Sequence, residues 1–296
     1  MALSSFGDSQ QKSLLSRTKG ILRLAGLQAK KGLGQHFLVD GTYLKYILTA
    51  AELNKDDIVI EVGPGLGVLT GELADRAGWV AAVEKDDNLS HLLEETLASQ
   101  QNVIVINQDI LKVDPDAIFH EHFPDKQPRQ YKVVANLPYY ITSPVLRHFL
   151  EESVKPQSMV VMVQKEVARQ ITAKPGDMSL LSIAVQLYGR PKIIKYVPAR
   201  AFYPAPEVDS AILKIDVYPR PVVDVDTDSF FTLVRAGFSA ARKQLANSLS
   251  HRLELPKADV LNILEKAGID PRRRAETVSL EEWGRLWGEY VKIISK

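Results

Sequence analysis

The sequence predicts an α/β domain, a parallel sheet covered by helices on both faces, followed by a small all-helical domain. Short, continuously apolar runs of strand length alternate with stretches of helical spacing over the first two thirds of the chain. Such runs mark strands buried on both faces and joined by crossover helices. A Gly/Pro cluster closes the first of them, where a strand should turn into its helix. Near Tyr218-Pro219-Arg220-Pro221 the pattern changes, and from Ser229 onward it is helical without a clear strand.

Residues 1–27 read as a basic extension, flexible or partly helical. The first strand is expected over Asp57–Val62, with a helix from Val68 to Arg76. Trp79–Val83 is the second strand, and Asn88–Leu97 the helix behind it. Val103–Ile106 and Lys132–Ala135 follow as strands three and four. Pro144–Leu150 opens a helix with Pro at a tolerated first-turn position. Ser158–Val163 is a fifth strand, Lys165–Thr172 is helical, and Ile193–Val197 and Ala211–Val217 supply later strands. The expected division is the extension, an α/β domain over 28–217 and a helical domain over 218–296.

Of 296 residues, 45% are hydrophobic and 25% charged, which excludes a wholly disordered chain; 17 Gly and 16 Pro exclude a fibrous one. No apolar run approaches the ~18 residues of a membrane helix. The lack of cysteine excludes disulfides, thiolate metal sites and a cysteine nucleophile, and fits an intracellular protein. The chain reads as soluble and cytoplasmic, with no membrane contact. Its net charge of +1 conceals two basic segments. Ser9–Val39 carries Lys12, Arg17, Lys19, Arg23, Lys30 and Lys31 without an acid, and Ser229–Leu253 carries Arg235, Arg242, Lys243 and Arg252, again without one. Phosphate binding follows clustered charge rather than the total, so both segments point to a polyanion.

Glu61-Val62-Gly63-Pro64-Gly65-Leu66-Gly67 lies where the first strand meets its helix. Glycines there let the backbone approach a ligand and take turns that a side chain forbids. A dinucleotide fingerprint needs G-x-G-x-x-G, but Val68 stands three after Gly65, which argues against a nicotinamide dehydrogenase. The G-x-G-x-G pattern behind an acid resembles the S-adenosylmethionine (SAM) loop of class I methyltransferases. Glu84 ends the second strand 21 residues after Gly63, the usual distance for a carboxylate that accepts from ribose hydroxyls. Asp109, after the third strand, suits an adenine amino group. Either acid alone reads as a helix cap. Three acids at successive strand ends read as a nucleoside site on the carboxyl edge of the sheet.

Asn136-Leu137-Pro138-Tyr139 directly follows the fourth strand. An exocyclic aromatic amine is a poor nucleophile because its lone pair is delocalised into the ring. The Asn136 side-chain oxygen and the Leu137 carbonyl are two acceptors for its N–H bonds. Pro138 lacks an N–H and fixes the turn. The Tyr139 ring offers a face for a flipped base, worth ~1–3 kcal/mol. A sulfonium is already an activated methyl donor, so positioning supplies most of the catalysis and no metal is expected.

Together with Lys31-Gly32-Leu33-Gly34-Gln35-His36-Phe37-Leu38, Phe202-Tyr203-Pro204-Ala205-Pro206-Glu207-Val208-Asp209-Ser210 and Arg242-Lys243-Gln244-Leu245-Ala246-Asn247-Ser248-Leu249, these motifs resemble the KsgA family of ribosomal RNA adenine dimethyltransferases. The resemblance runs over roughly residues 28 to 290. It implies a Rossmann-like class I SAM-dependent methyltransferase sheet with a small C-terminal all-helical domain. It also implies transfer of two methyl groups to N6 of each of two adjacent adenines, in the 3′-terminal hairpin loop of 16S rRNA. The target is then the 30S small subunit during its biogenesis. By motif position it implies SAM contacts from His36, Leu38, Gly63, Gly65, Glu84, Asp109 and Asn136. Asn136, Leu137 and Tyr139 would stand at the target base, with Phe202 on its other face. Arg242, Lys243, Arg252 and Arg272, the last in the run Arg272-Arg273-Arg274, would hold RNA phosphates in the helical domain. No DNA partner and no oligomer are expected.

Two departures stand out. His36 replaces an Asn common in the family, which exposes that contact to pH. Ala241-Arg242-Lys243 lacks a frequent extra arginine. The neighbouring readings are a 23S rRNA adenine methyltransferase of the macrolide-resistance type and a non-catalytic SAM-binding assembly factor. Leu137 and the Phe202–Ser210 segment favour the small-subunit enzyme over the former, and the intact Asn136–Tyr139 motif argues against the latter. Leu137 also stands where DNA adenine methyltransferases usually have Pro.

Overall fold

The computed structural model describes residues 14–29, 34–125, 130–240 and 242–294. Lys12, Lys30 and Lys31 of the basic run, Gly32 and Leu33 of the expected cofactor segment, and Ala241 lie outside them. A helix α1 (Leu14–Leu24) precedes a two-residue strand β1 (Phe37–Leu38) and helix α2 (Gly41–Ala51). Strands and helices then alternate: β2 (Ile58–Val62), α3 (Val68–Ala74), β3 (Trp79–Glu84), α4 (Asp87–Thr96), β4 (Val103–Asn107), α5 (Pro115–His122), β5 (Lys132–Asn136), α6 (Thr142–Glu151) and β6 (Ser158–Gln164). Helices α7 (Lys165–Ile171) and α8 (Leu180–Gln186) lead to β7 (Gly189–Val197), β8 (Phe202–Tyr203) and β9 (Ser210–Val217). The chain ends in α9 (Thr227–Phe238), α10 (Leu245–Leu253), α11 (Lys257–Lys266) and α12 (Leu280–Ile294).

The seven-stranded sheet has the order β4-β3-β2-β5-β6-β9-β7. Strands β2 to β6 pair in parallel, as their continuously apolar sequences require. β2 is buried throughout and β6 is buried to its penultimate residue, so each is covered on both faces. β9 departs from the predicted parallel sheet: it runs antiparallel to β6, with Ser210 opposite Gln164. By then the chain has returned to the carboxyl edge of the sheet, and β9 starts where β6 stops. An apolar run reads the same in either direction, so its sequence carries no sign of this reversal. The order of the strands reverses between β2 and β5, which opens a crevice at their carboxyl ends.

Three helices that the periodicity does not announce are fixed by their caps. Asp40 accepts from the Thr42 N–H at 2.9 Å to start α2, and Asp114 accepts from Asp116 at 2.8 Å to start α5. Ser179 and Ser182 cap α8 reciprocally.

The chain divides into two units, one of Met1–Ala168 with Lys192–Val217, the other of Arg169–Pro191 with Tyr218–Lys296. The sequence division at 217/218 assigns 169–191 to the α/β domain, whereas packing groups it with the C-terminal helices. The Gly176 and Met178 N–H groups donate to the Glu276 carbonyl at 2.9 and 3.1 Å, and Val222 N–H to Leu187 at 2.9 Å. The second unit is built around Phe230, Leu233, Leu249, Ile263, Trp283 and Leu286, all fully buried. A Cβ on Gly237 would lie 2.3 Å from the Trp283 ring, so only glycine lets the indole lie against α9. Among the described residues no helix is long and apolar enough to cross a membrane.

Candidate active site

Because β4, β3, β2 and β5 are neighbours, Asp109, Glu84, the Gly63 turn and Asn136 stand side by side along one sheet edge. They line a cavity of about 280 Å³ whose walls come from residues 34–38, 61–66, 84–85, 108–111 and 136–141, with the apolar Leu44, Ile47, Leu69 and Leu89 behind. Its turn requires glycine: Gly63, Gly65 and Gly67 have φ of 65°, 61° and 76°. A Cβ on Gly65 would also come within 3.0 Å of the Phe37 ring and narrow the cavity.

The acids differ in state. Glu84 is 7% exposed. Its two carboxylate oxygens accept from the Gly65 N–H at 3.1 Å and the Asp86 N–H at 2.9 Å. Burial nevertheless raises its pKa, against the pull of these donors. Asp109 is held ionised below the usual carboxylate range by the Lys85 ammonium at 2.8 Å, while its other oxygen caps Leu111 at 3.1 Å. Glu61 also faces the cavity, and its Oε2 has no hydrogen-bond partner. Burial pushes this carboxyl up to about 8; Thr70 beside it opposes the rise and the Glu84 charge adds to it.

At neutral pH the folded chain thus keeps Glu61 protonated, whereas the unfolded chain ionises it above the ordinary value of 4.5. Stability of the ligand-free protein is expected to fall with rising pH between that value and about 8. The slope should reach ~1.4 kcal/mol per pH unit. Glu61→Gln should flatten it. Chemical denaturation of both forms across this window measures the effect, and parallel curves would refute a buried neutral Glu61.

At the end of β5, Asn136 Nδ2 donates to the His36 carbonyl at 2.9 Å, which leaves Oδ1 as the acceptor directed elsewhere. Leu137, 2% exposed, has its N–H tied to Met162 at 3.2 Å. The Tyr139 hydroxyl hydrogen-bonds Ser210 Oγ at 2.7 Å, and its ring stacks on His36 at 5.8 Å with 24° between the planes. His36 Nδ1 donates to the Pro204 carbonyl at 2.8 Å. His36 therefore braces three segments, with one ring nitrogen already committed. Leu38 and His36 both reach the cavity wall.

Phe202 does not. It pairs with Leu38 across the β1–β8 ladder, is 3% exposed, and packs among Val197, Ala201 and Ile212. Neighbouring strand residues face opposite ways, and it is Tyr203 that turns toward Leu22, Leu66 and Leu89. Phe202 thus lies in the core beside Leu38, its partner across the ladder.

In the second unit, the Leu245 N–H donates to the Arg273 carbonyl at 2.7 Å and Ala246 to Pro271 at 3.4 Å. These bonds tie the start of α10 to the 271–273 segment, and Arg242, Lys243 and Arg272 are all exposed. Arg252 sits at the far end of α10, about 11 Å along the helix. Arg273 is directed instead to Glu282 at 2.6 Å, and Arg272 pairs with Asp270 at 3.2 Å on the surface.

The cavity also contains residues that the sequence reading did not single out: Gln35, bonded to Asp86 at 3.2 Å, Lys85, and the exposed Tyr140. None carries a periodic or spacing signal. Glu61 is one of the three acids read from the strand ends, but without a contact of its own. Among the described residues no group of His, Asp and Glu is placed to hold a metal ion.

A nucleoside with a charged tail fits this site, with glycine turn, two buried acids and apolar walls. The profile of the ribosomal RNA adenine dimethylase family matches residues 26–291. Ribosomal RNA small subunit methyltransferase A of Dehalococcoides mccartyi is 52% identical over 94% of both chains. The protein of that name from Alkaliphilus metalliredigens is 47% identical over 93% of this chain and 96% of its own. Among solved structures, a dimethyladenosine transferase from Plasmodium falciparum is 26% identical with a TM-score of 0.74, covering 87% of this chain and 98% of its own. The 23S rRNA methyltransferase ErmE is 30% identical with a TM-score of 0.66, over 86% and 98%. With the glycine turn, the acids and the Asn136 motif on one sheet edge, the chain belongs to the ribosomal RNA adenine dimethylase family and is a SAM-dependent rRNA adenine dimethyltransferase.

Proposed function

We propose that this enzyme dimethylates N6 of two adjacent adenines in the 3′-terminal hairpin loop of small-subunit rRNA. It acts as a cytoplasmic monomer on the 30S subunit late in its assembly. The observation that carries this is the amide of Asn136, fixed by His36 with its oxygen free to accept, on the strand beside the Gly63 turn. Bound SAM supplies an activated methyl group on a sulfonium. Asn136 Oδ1 and the Leu137 carbonyl accept the two N–H bonds of the target amine and aim its nitrogen. Tyr139, held by Ser210 and His36, is the platform for a base flipped out of the loop.

Glu84 takes the ribose hydroxyls and Asp109 the adenine amino group of the cofactor, while Gly63, Gly65, His36 and Leu38 close around it. Phe202 packs beside Leu38, its partner in the β1–β8 ladder, and holds it in place. Arg242, Lys243, Arg252 and Arg272 hold phosphates of the rRNA in the helical domain over 218–296. The small-subunit target is favoured because relatives named for that subunit reach 52% identity, whereas the large-subunit enzyme ErmE reaches 30%.

Methyl transfer from labelled SAM to small subunits lacking the modification, read by nucleoside mass spectrometry, tests the reading. Dimethyladenine on assembled small subunits is the expected result. Label on large-subunit RNA would move the target to the resistance type, and no label with SAM bound would leave an assembly factor.

A further inference from the structure

Helix α1 lies outside the residues that the family profile matches, and the proposed function assigns it no role. Leu14, Thr18 and Leu22 recur every four residues and so share one face. Thr18 is fully buried and Leu22 is 7% exposed. Leu22 forms one apolar cluster with Leu66 of the glycine turn and Leu89 of α4, with Ile21, Leu27, Phe37 and Tyr203 packed around it. Leu66, Leu89 and Phe37 are themselves walls of the cofactor cavity. The helix thus backs the cavity directly, one side chain removed from the ligand.

Its other side is cationic. Arg17, Lys19 and Arg23 are exposed, and no acid occurs from Ser9 to Val39. Arg23 lies opposite the buried stripe, and Lys19 Nζ sits 5.0 Å over the Tyr203 ring, beside the same cluster. One helix thus carries an apolar face packed behind the cofactor wall and a basic face toward solvent.

We propose that α1 couples the two substrates: its apolar face supports the wall of the SAM cavity from behind, and its basic face takes phosphates of the rRNA that presents the target adenine. This rests on the small-subunit rRNA reading above. Because coupling is reciprocal, bound small subunits tighten the cofactor by the factor with which the cofactor tightens the subunits.

Equilibrium dialysis of labelled S-adenosylhomocysteine on the full chain, with and without unmethylated small subunits, tests it. Leu22→Ala should weaken cofactor binding about tenfold in both conditions. Leu22→Met, of similar volume, should restore it, which separates wall packing from failure to fold. Lys19→Glu with Arg23→Glu should leave cofactor affinity alone unchanged. The double variant should lower the salt slope of subunit binding by about 2 and abolish the tightening of cofactor by subunits. Wild-type cofactor affinity in Leu22→Ala, or a wild-type salt slope in the double variant, overturns the proposal. A wild-type chain that binds cofactor but no small subunits overturns the substrate reading itself.

Discussion

Asn136→Ala is expected to lower turnover about 10³-fold, the scale on which loss of one preorganised hydrogen-bonding group at a reacting centre is felt. Cofactor binding should be largely spared. In the folded enzyme the amide is oriented before substrate arrives: Nδ2 is spent on the His36 carbonyl at 2.9 Å, so only Oδ1 can meet the target amine. Alanine removes both the acceptor and the tie to His36. Asn136→Asp separates the two roles. It keeps an acceptor but sets a carboxylate oxygen against the His36 carbonyl, so it should also be nearly inactive. Single-turnover rates beside S-adenosylhomocysteine titrations read the split: unimpaired turnover in Asn136→Ala would remove Asn136 from the reacting centre, and unimpaired turnover in Asn136→Asp would show that the tie to His36 is dispensable.

Glu84→Gln is the second large effect, and it falls on binding. Both oxygens of Glu84 already accept backbone N–H bonds, from Gly65 and Asp86, and their remaining lone pairs are the acceptors for ribose. A glutamine amide keeps one acceptor and turns its NH₂ toward a backbone donor. Two charge-assisted bonds to ribose are lost and a buried N–H is left unpaired, so cofactor Kd should rise roughly 100-fold. Turnover at saturating SAM should change far less. Wild-type affinity should weaken on acidification at a higher pH than an ordinary carboxylate would give, because burial raises the Glu84 pKa; the glutamine variant should show no such step. A pH-independent wild-type affinity would place the ribose elsewhere.

Much of this enzyme is legible in its sequence because the information is local. The apolar runs at β2, β3, β5 and β6 are short and unbroken, and only a sheet covered on both faces accommodates them. The Gly63 turn, Glu84 and Asp109 are fixed by distance along the chain, since each follows its strand directly. Asn136 to Tyr139 sit in the same way at the end of β5. A parallel sheet brings successive strand ends to one edge, so a reading of strand ends becomes a reading of the site.

What only the tertiary structure decided is whatever depends on residues distant in sequence. Phe202 stands in an aromatic motif, but strand alternation turns it to the core and leaves Tyr203 facing the cofactor loop. His36 has a second task that its motif does not announce: Pro204, 168 residues away, takes its Nδ1. Arg273 lies within a run of three arginines and is withdrawn by Glu282, while its neighbours stay exposed. The reversal of β9 and the transfer of 169–191 to the helical unit likewise follow from pairing and packing. Burial sets the proton on Glu61, a value that composition cannot carry because it depends on solvent excluded by the whole fold. Sequence determines which groups reach the sheet edge; the fold determines which of them remain free once their neighbours have bound them.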